Sequence, residues 1–174
     1  ARVGKHDAVF FYFVRVFSLE KCRYYVVKYK KLTESLYIIQ ETRRRTMNQH
    51  VEKAEKIRSQ MPVTSNCAQT IMRVYAEEMG ISEETAAQIA SNFGGGMKCG
   101  SVCGVVTAGL MVLGAKGIDD LASVHGFQQS IAQNHGGRIC CKDLLKANAE
   151  KGGNKKAHCD GLILEAIDLI DKLV

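Results

Sequence analysis

Cysteine is the residue type in this sequence best placed to do chemistry, with seven among 174 residues: Cys22, Cys67, Cys99, Cys103, Cys140, Cys141 and Cys159. Cysteine acts as its thiolate, which free backbone N–H groups and the positive end of a helix dipole stabilise. Cys67 follows Thr64-Ser65-Asn66, whose side-chain oxygens cap helices, so the spacing predicts a first-turn cysteine with a lowered pKa. The same argument applies to Cys103, expected in the first turn of an apolar helix behind Gly94-Gly95-Gly96. Cys141 is expected at a helix start before Lys142-Asp143-Leu144-Leu145, and Cys159 is expected to open the last helix after His158. Neighbouring side chains point apart, so one of Cys140 and Cys141 should face a site while the other packs. The competing reading of any free cysteine is a small buried hydrophobe, and for Cys22 that is the reading adopted.

Converging thiolates support two chemistries. In a dithiol site, Cys67 or Cys103 attacks as a thiolate and a second cysteine resolves the mixed disulfide. In a metal site, Cys67, Cys103, Cys141 and Cys159 hold an iron–sulfur cluster or zinc. No Cys-x2-Cys knuckle marks zinc, and the set Cys140, Cys141, His158 and Cys159 has unspecific spacing. Cys-x-x-Cys-His is absent, so no covalent haem is expected. Cysteine–histidine catalysis would draw on His125, His135 or His158. A third reading, from another class, is a non-enzymatic interaction module whose cysteines only pack.

The glycine run does not match the phosphate loop, because Gly100 is followed by Ser101-Val102 and not by Lys-Ser/Thr. A helix precedes it where a dinucleotide fold needs a strand. Its expected role is to let backbone pass close to Cys103 or to accept an anion or cofactor, which makes Cys99, Gly95 and Gly96 cofactor-binding candidates. A plain flexible linker between helices is the alternative.

One proline and no tryptophan point to long helices punctuated by the 16 glycines. Val51, Ala54, Ile57 and Met61 form a stripe ending at Pro62; Ala68, Ile71, Met72, Tyr75 and Met79 form the next, closed by Gly80. Ser82 caps a third helix with Ala86, Ile89, Ala90 and Phe93 inward. Residues 102–115 are apolar nearly all round and read as a central buried helix. Weaker patterns follow at 118–133 and 141–150. The last helix, from about Cys159, turns Ile163, Ala166, Ile167, Ile170 and Leu173 inward and Asp168, Asp171 and Lys172 to water. The fold class expected is all-α, a compact helical bundle with a glycine-rich loop before its central helix.

Charge is unevenly spread. Residues 1–46 hold 11 Lys/Arg against 4 Asp/Glu, whereas residues 47–174 are close to neutral, and the whole chain carries +6. The basic cluster therefore lies outside the best-patterned region, which argues against nucleic-acid binding. The apolar stretch from Ala8 to Phe17 is too short for a membrane span and lacks a signal-peptide cleavage pattern. Tyr24-Tyr25-Val26-Val27-Lys28-Tyr29 has strand-like composition. Arg43-Arg44-Arg45 stands just before Met47, and arginine codons can spell a bacterial ribosome-binding sequence. The expectation is a basic leader over 1–46, read through from a start-site error with Met47 as the true start, with a genuine basic partner-binding arm as the alternative, and one cysteine-rich domain over 47–174.

The ordered segments resemble the C_GCAxxG_C_C family, named after its cysteine pattern, over about Asn66 to Val174. Asn66-Cys67-Ala68-Gln69 resembles its first cysteine segment. Phe93-Gly94-Gly95-Gly96-Met97 and the run from Cys103-Gly104 to Leu113-Gly114 resemble its glycine loop and Cys-Gly-Ala-x-x-Gly helix. Cys141-Lys142-Asp143-Leu144-Leu145 and Cys159-Asp160-Gly161 resemble its last two segments. Val105 replaces the motif's alanine and Ala108 its last glycine. A register starting at Cys99 keeps that glycine, as Gly104, but replaces the alanine with Ser101. The resemblance implies a redox role carried by the cysteines, with no substrate attached. Family members are also similar to split-Soret cytochromes c. The sequence as a whole predicts a cytoplasmic thiol-based redox or electron-transfer protein. Its redox partner is unidentified, nucleic acid and membrane spans are not expected, and a homo-oligomer is compatible with the pattern.

Overall fold

The computed structural model describes residues 19–174, with side chains described from residue 32 onward apart from residue 48. Expectations for the aromatic run Phe10–Phe13 and its neighbours lie outside the described residues. So does the side chain of Cys22. Seven α-helices follow in order: α1 Leu19–Ser59, α2 Cys67–Val74, α3 Glu83–Ala90, α4 Gly104–Ala115, α5 Leu121–Asn134, α6 Cys141–Glu150 and α7 Lys155–Leu173. A tight turn, Gly96–Gly100, precedes α4. Among the described residues there is no sheet, only an isolated antiparallel bridge between Val102 and Cys140. The fold is all-α, and no helix among the described residues is long and apolar enough to cross a membrane.

The chain divides into two units, one running to Arg45 and one over Thr46–Val174. In the first, the strand-like stretch Tyr24–Tyr29 is helical, part of α1. Local β-propensity is a weak preference, and a continuous helix satisfies every backbone group without needing a partner strand. Leu32, Leu36, Tyr37, Ile38 and Ile39 in this unit are exposed.

The second unit is built around α4, whose Val105, Val106, Ala108, Val112 and Leu113 are buried. It packs against α2, α5 and α7, and α2 packs in turn on α3 and α7. Burying a side chain of this size contributes roughly 1.5–3 kcal/mol, so α4 is the main apolar stabiliser of the bundle. Gly109 leaves room for the Phe127 ring of α5, which would overlap any Cβ placed there.

Four expectations are corrected. Met61 is 81% exposed, Ile89 49% and Leu173, in the last turn of its helix, 38%, so none of the three lies on a buried stripe. Helix α2 ends at Val74, and turns carry the chain on to Gly80, whose φ of +70° closes the segment. Helix α7 begins at Lys155 because Asn154 caps it, accepting a hydrogen bond from the Ala157 N–H at 3.1 Å; Cys159 therefore does not open it. Asp171 does not face water but is 3% exposed, accepting from the Tyr75 hydroxyl at 2.7 Å and pairing with His50 Nδ1 at 2.8 Å.

Candidate functional site

Cys67 is placed by its neighbours' polar groups. Asn66 Oδ1 accepts from the Gln69 N–H and Gln69 Oε1 accepts from the Asn66 N–H, both at 2.9 Å, a reciprocal cap that fixes the start of α2. Asn66 Nδ2 also donates to the Ser91 carbonyl and Gln69 Nε2 to the Ala87 carbonyl, which ties the cap to α3. Gly94 lies directly against Asn66, where a Cβ would overlap the amide. Cys67 thus occupies the first helical position, with its thiol beside free N–H groups.

The glycine run forms a built turn and not a loose linker. Gly95, Gly96, Met97 and Lys98 all have positive φ, at 64°, 62°, 55° and 57°. A left-handed conformation costs a side-chain-bearing residue roughly 1–2 kcal/mol, so Met97 and Lys98 are held there against local preference. The turn aims the Gly95 N–H at Cys67. Gly96 is buried, and a Cβ there would overlap the Ser101 carbonyl and stand 2.8 Å from Cys141 Cβ. The backbone therefore passes close to Cys67 and Cys141, whereas Cys103 was the neighbour expected.

Cys103 is positioned by the short bridge. Its N–H donates to the Ile139 carbonyl at 2.8 Å, and the Cys141 N–H donates to the Ser101 carbonyl at 2.7 Å. These two bonds hold the entries of α4 and α6 side by side. Gly104 then lets Cys67 approach, since a Cβ there would lie 2.9 Å from Cys67 Sγ and 2.6 Å from the Phe93 carbonyl.

Cys67, Cys103, Cys141 and Cys159 line one cavity of about 220 Å³. Gly95 reaches it too, as do Arg58, Lys155 and His158. Cys99 and Gly96 do not line it: Cys99 is exposed, its thiol donating to the Gly96 carbonyl at 3.4 Å, and Gly96 supports the turn from behind. Cys140 is half-buried on the bridge and outside the cavity wall. Of the histidines, His158 lines the cavity; His135 pairs with Glu165 at 2.7 Å, and His125 is exposed on α5.

Only one of the four thiols has a favoured thiolate. Interaction with the neighbouring Cys103 thiol outweighs burial, and the N–H groups of Gly95 and Ala68 add to it; the Cys67 pKa falls to about 6. The same interaction, together with burial, pushes Cys103 up. Burial raises Cys141, and the Cys67 charge adds to that. Burial also raises Cys159, with Arg58 and Lys155 pulling the other way. The expectation of several helix-start thiolates is corrected on this point: Cys103 is itself the residue capping α4, and the Cys67 thiolate beside it holds it in the thiol form.

The donor geometry also bears on a metal. Among the described residues, no group of three or more His, Cys, Asp or Glu side chains is placed to hold a metal ion. The four thiols share a cavity, but they do not form the tetrahedral cage that zinc takes, and no step is derived through a metal.

Arg58, Lys155 and Leu162 escaped the sequence reading, although for the two on α7 the spacing relative to His158 and Cys159 carried the signal. Lys155, His158, Cys159 and Leu162 follow i, i+3, i+4, i+7 along α7, and Cys141, Leu144 and Leu145 follow i, i+3, i+4 along α6. Each set is one helix face carrying a cysteine. Arg58 comes from α1 and is distant in sequence; its Nε donates to Asp160 at 2.6 Å and its Nη1 to the Ser65 carbonyl at 2.7 Å.

A cysteine pair on paired helix starts, cradled by a left-handed glycine turn in an all-α bundle, is the setting in which the comparison with known families falls. The family model described as "Putative redox-active protein (C_GCAxxG_C_C)" matches residues 65–173, and the chain belongs to that family. No curated protein and no solved structure matches the chain.

Proposed function

We propose that the chain is a thiol–disulfide redox protein in which Cys67 attacks and Cys103 resolves. The observation that carries this reading is the placement of Cys67 and Cys103 on one cavity wall, with Cys67 Sγ lying against Gly104, the residue after Cys103; their interaction lowers Cys67 and raises Cys103. Cys67 attacks one sulfur of an external disulfide, forming a mixed disulfide and releasing the first thiolate. Cys103 then gives up its proton to that leaving thiolate and attacks Cys67. The Cys67–Cys103 disulfide forms and the second thiolate leaves. Two electrons pass from the cysteine pair to the external disulfide, and the reverse sequence reduces the pair. Gly104 makes the close approach sterically feasible, and the Gly95 N–H holds the thiolate between turnovers. A dithiol resting form suits a reducing compartment such as the cytoplasm, where a partner would supply or accept the electron pair.

The test is to react the reduced protein with a small disulfide and count the thiols released. Wild type releases two per chain with Cys67 and Cys103 bridged. Cys103→Ser stops at one, with the reagent trapped on Cys67. Cys67→Ser in which the released thiols still number two, at the wild-type rate, contradicts the reading.

A further inference from the structure

The cavity wall contains two cations and no carboxylate. Arg58 is neutralised by Asp160, but Lys155 has no hydrogen-bond or ion-pair partner among the described residues. Val105, Leu144, Leu145 and Leu162 make the rest of the wall largely apolar. The one unmatched charge on the wall, among the described residues, is thus the Lys155 cation on α7.

Size narrows the ligand further. The space is about 220 Å³, and the attacking Cys67 on its wall is only part-exposed. A compact molecule of about a dozen heavy atoms suits a cavity of that size.

We propose that the cavity takes a low-molecular-weight disulfide bearing a carboxylate, with Lys155 meeting the carboxylate. The proposal rests on the thiol–disulfide reading and names the substrate class of that same site. In the balanced step, the disulfide R–S–S–R, the Cys67 thiolate and the Cys103 thiol give the Cys67–Cys103 disulfide, one R–SH and one R–S⁻. The thiolate's charge leaves with the product, so an anionic reagent meets the Lys155 cation without leaving negative charge on the protein. Lys155 acts as a positioning and selectivity residue; Cys67 does the chemistry.

Three reagents of similar size test this: dithiodiglycolate is anionic, 2-hydroxyethyl disulfide neutral and cystamine cationic. Each oxidation rate of the reduced full chain at low ionic strength is normalised to that reagent's rate with a free thiol. Wild type is expected to prefer dithiodiglycolate over 2-hydroxyethyl disulfide, and that over cystamine. In Lys155→Gln the dithiodiglycolate to hydroxyethyl disulfide ratio should fall about fivefold, the effect of losing one solvent-screened charge pair, while Lys155→Arg retains it. An unchanged or higher ratio in Lys155→Gln, or a wild-type preference for cystamine, overturns the proposal. If 2-hydroxyethyl disulfide fails to bridge Cys67 and Cys103 in wild type, the thiol–disulfide reading itself falls, and this inference with it.

Discussion

Cys67 Sγ lies against Gly104, the residue after Cys103, so that the two cysteines share one cavity wall. Burial alone would raise both, as it does Cys141 and Cys159. Their mutual interaction instead favours the Cys67 thiolate at the expense of Cys103.

The asymmetry is measurable as alkylation. The rate of iodoacetamide capture at Cys67, followed by peptide mass spectrometry, should rise through a midpoint near pH 6, the pKa of the thiolate. At pH 7 Cys67 should react roughly two- to threefold faster than a free cysteine, the gain in thiolate fraction being largely offset by lower nucleophilicity. Cys103→Ala should move the midpoint upward, because the neighbouring thiol is gone. A wild-type profile that rises only above pH 8 contradicts the assignment.

The glycine beneath Cys67 should be less replaceable than one facing open space. Gly104→Ala sets a Cβ 2.6 Å from the Phe93 carbonyl and 2.9 Å from Cys67 Sγ. Overpacking of this kind costs about 1–3 kcal/mol, and urea unfolding should show it together with slower Cys67 alkylation. Gly126 in α5 has nothing within 4 Å of a built Cβ, so Gly126→Ala should stabilise by roughly 0.5–1 kcal/mol. Equal effects at the two positions would mean that Gly104 is not a close-approach position.

A second cluster governs stability and not redox. His50 is held between Asp171 Oδ1 at 2.8 Å and Glu78 Oε1 at 2.5 Å, and Lys116 also pairs with Glu78. Burial disfavours the charged ring, but the Asp171 hydrogen bond and the two carboxylates outweigh it and raise the His50 pKa above 6.5. A folded-state pKa above the unfolded one gives a stability contribution that is complete below about pH 6.5 and lost as pH rises through the folded value. Cys67 titrates over the same range with the opposite sign, so the His50 contribution is read as the difference between wild type and His50→Gln. His50→Gln should be less stable by about 3 kcal/mol at pH 6, since it removes the charged partner of the buried Asp171, and the difference should shrink as pH rises to 9. A difference that grows over this range contradicts the arrangement.

The placement of the thiols also predicts metal content. Because no three donors among the described residues are placed for one ion, protein purified without oxygen should titrate with Cys67 and Cys103 free and carry no stoichiometric zinc. Zinc at one atom per chain, lost in Cys67→Ser, would show that the cavity thiols close on an ion.

Much of this site is written locally. Asn66 before Cys67, the glycines at 94–96 and the apolar run over 104–115 each have a short-range physical signature, and the structure places all three around one cavity. What sequence could not supply was the pairing across elements. The Cys103 pKa runs opposite to the helix-start argument because a cysteine on α2 lies beside it. Asp171 sits in a pattern of surface acids, yet Tyr75 and His50 reach it from two other segments and bury it. Cys159 lies inside its helix because Asn154, four residues before His158, supplies the cap. Local chemistry is legible one residue at a time, whereas burial and hydrogen-bond partners depend on which helices meet.

The central claim is that Cys67 and Cys103 form the working pair. It is tested most directly by oxidising the reduced protein with one equivalent of a small disulfide and mapping the linkage by mass spectrometry of peptides alkylated at acid pH. A Cys67–Cys103 bridge, with Cys99, Cys140, Cys141 and Cys159 still alkylated, is the predicted result. A first bridge that joins any other two cysteines while Cys67 and Cys103 remain free thiols would contradict it.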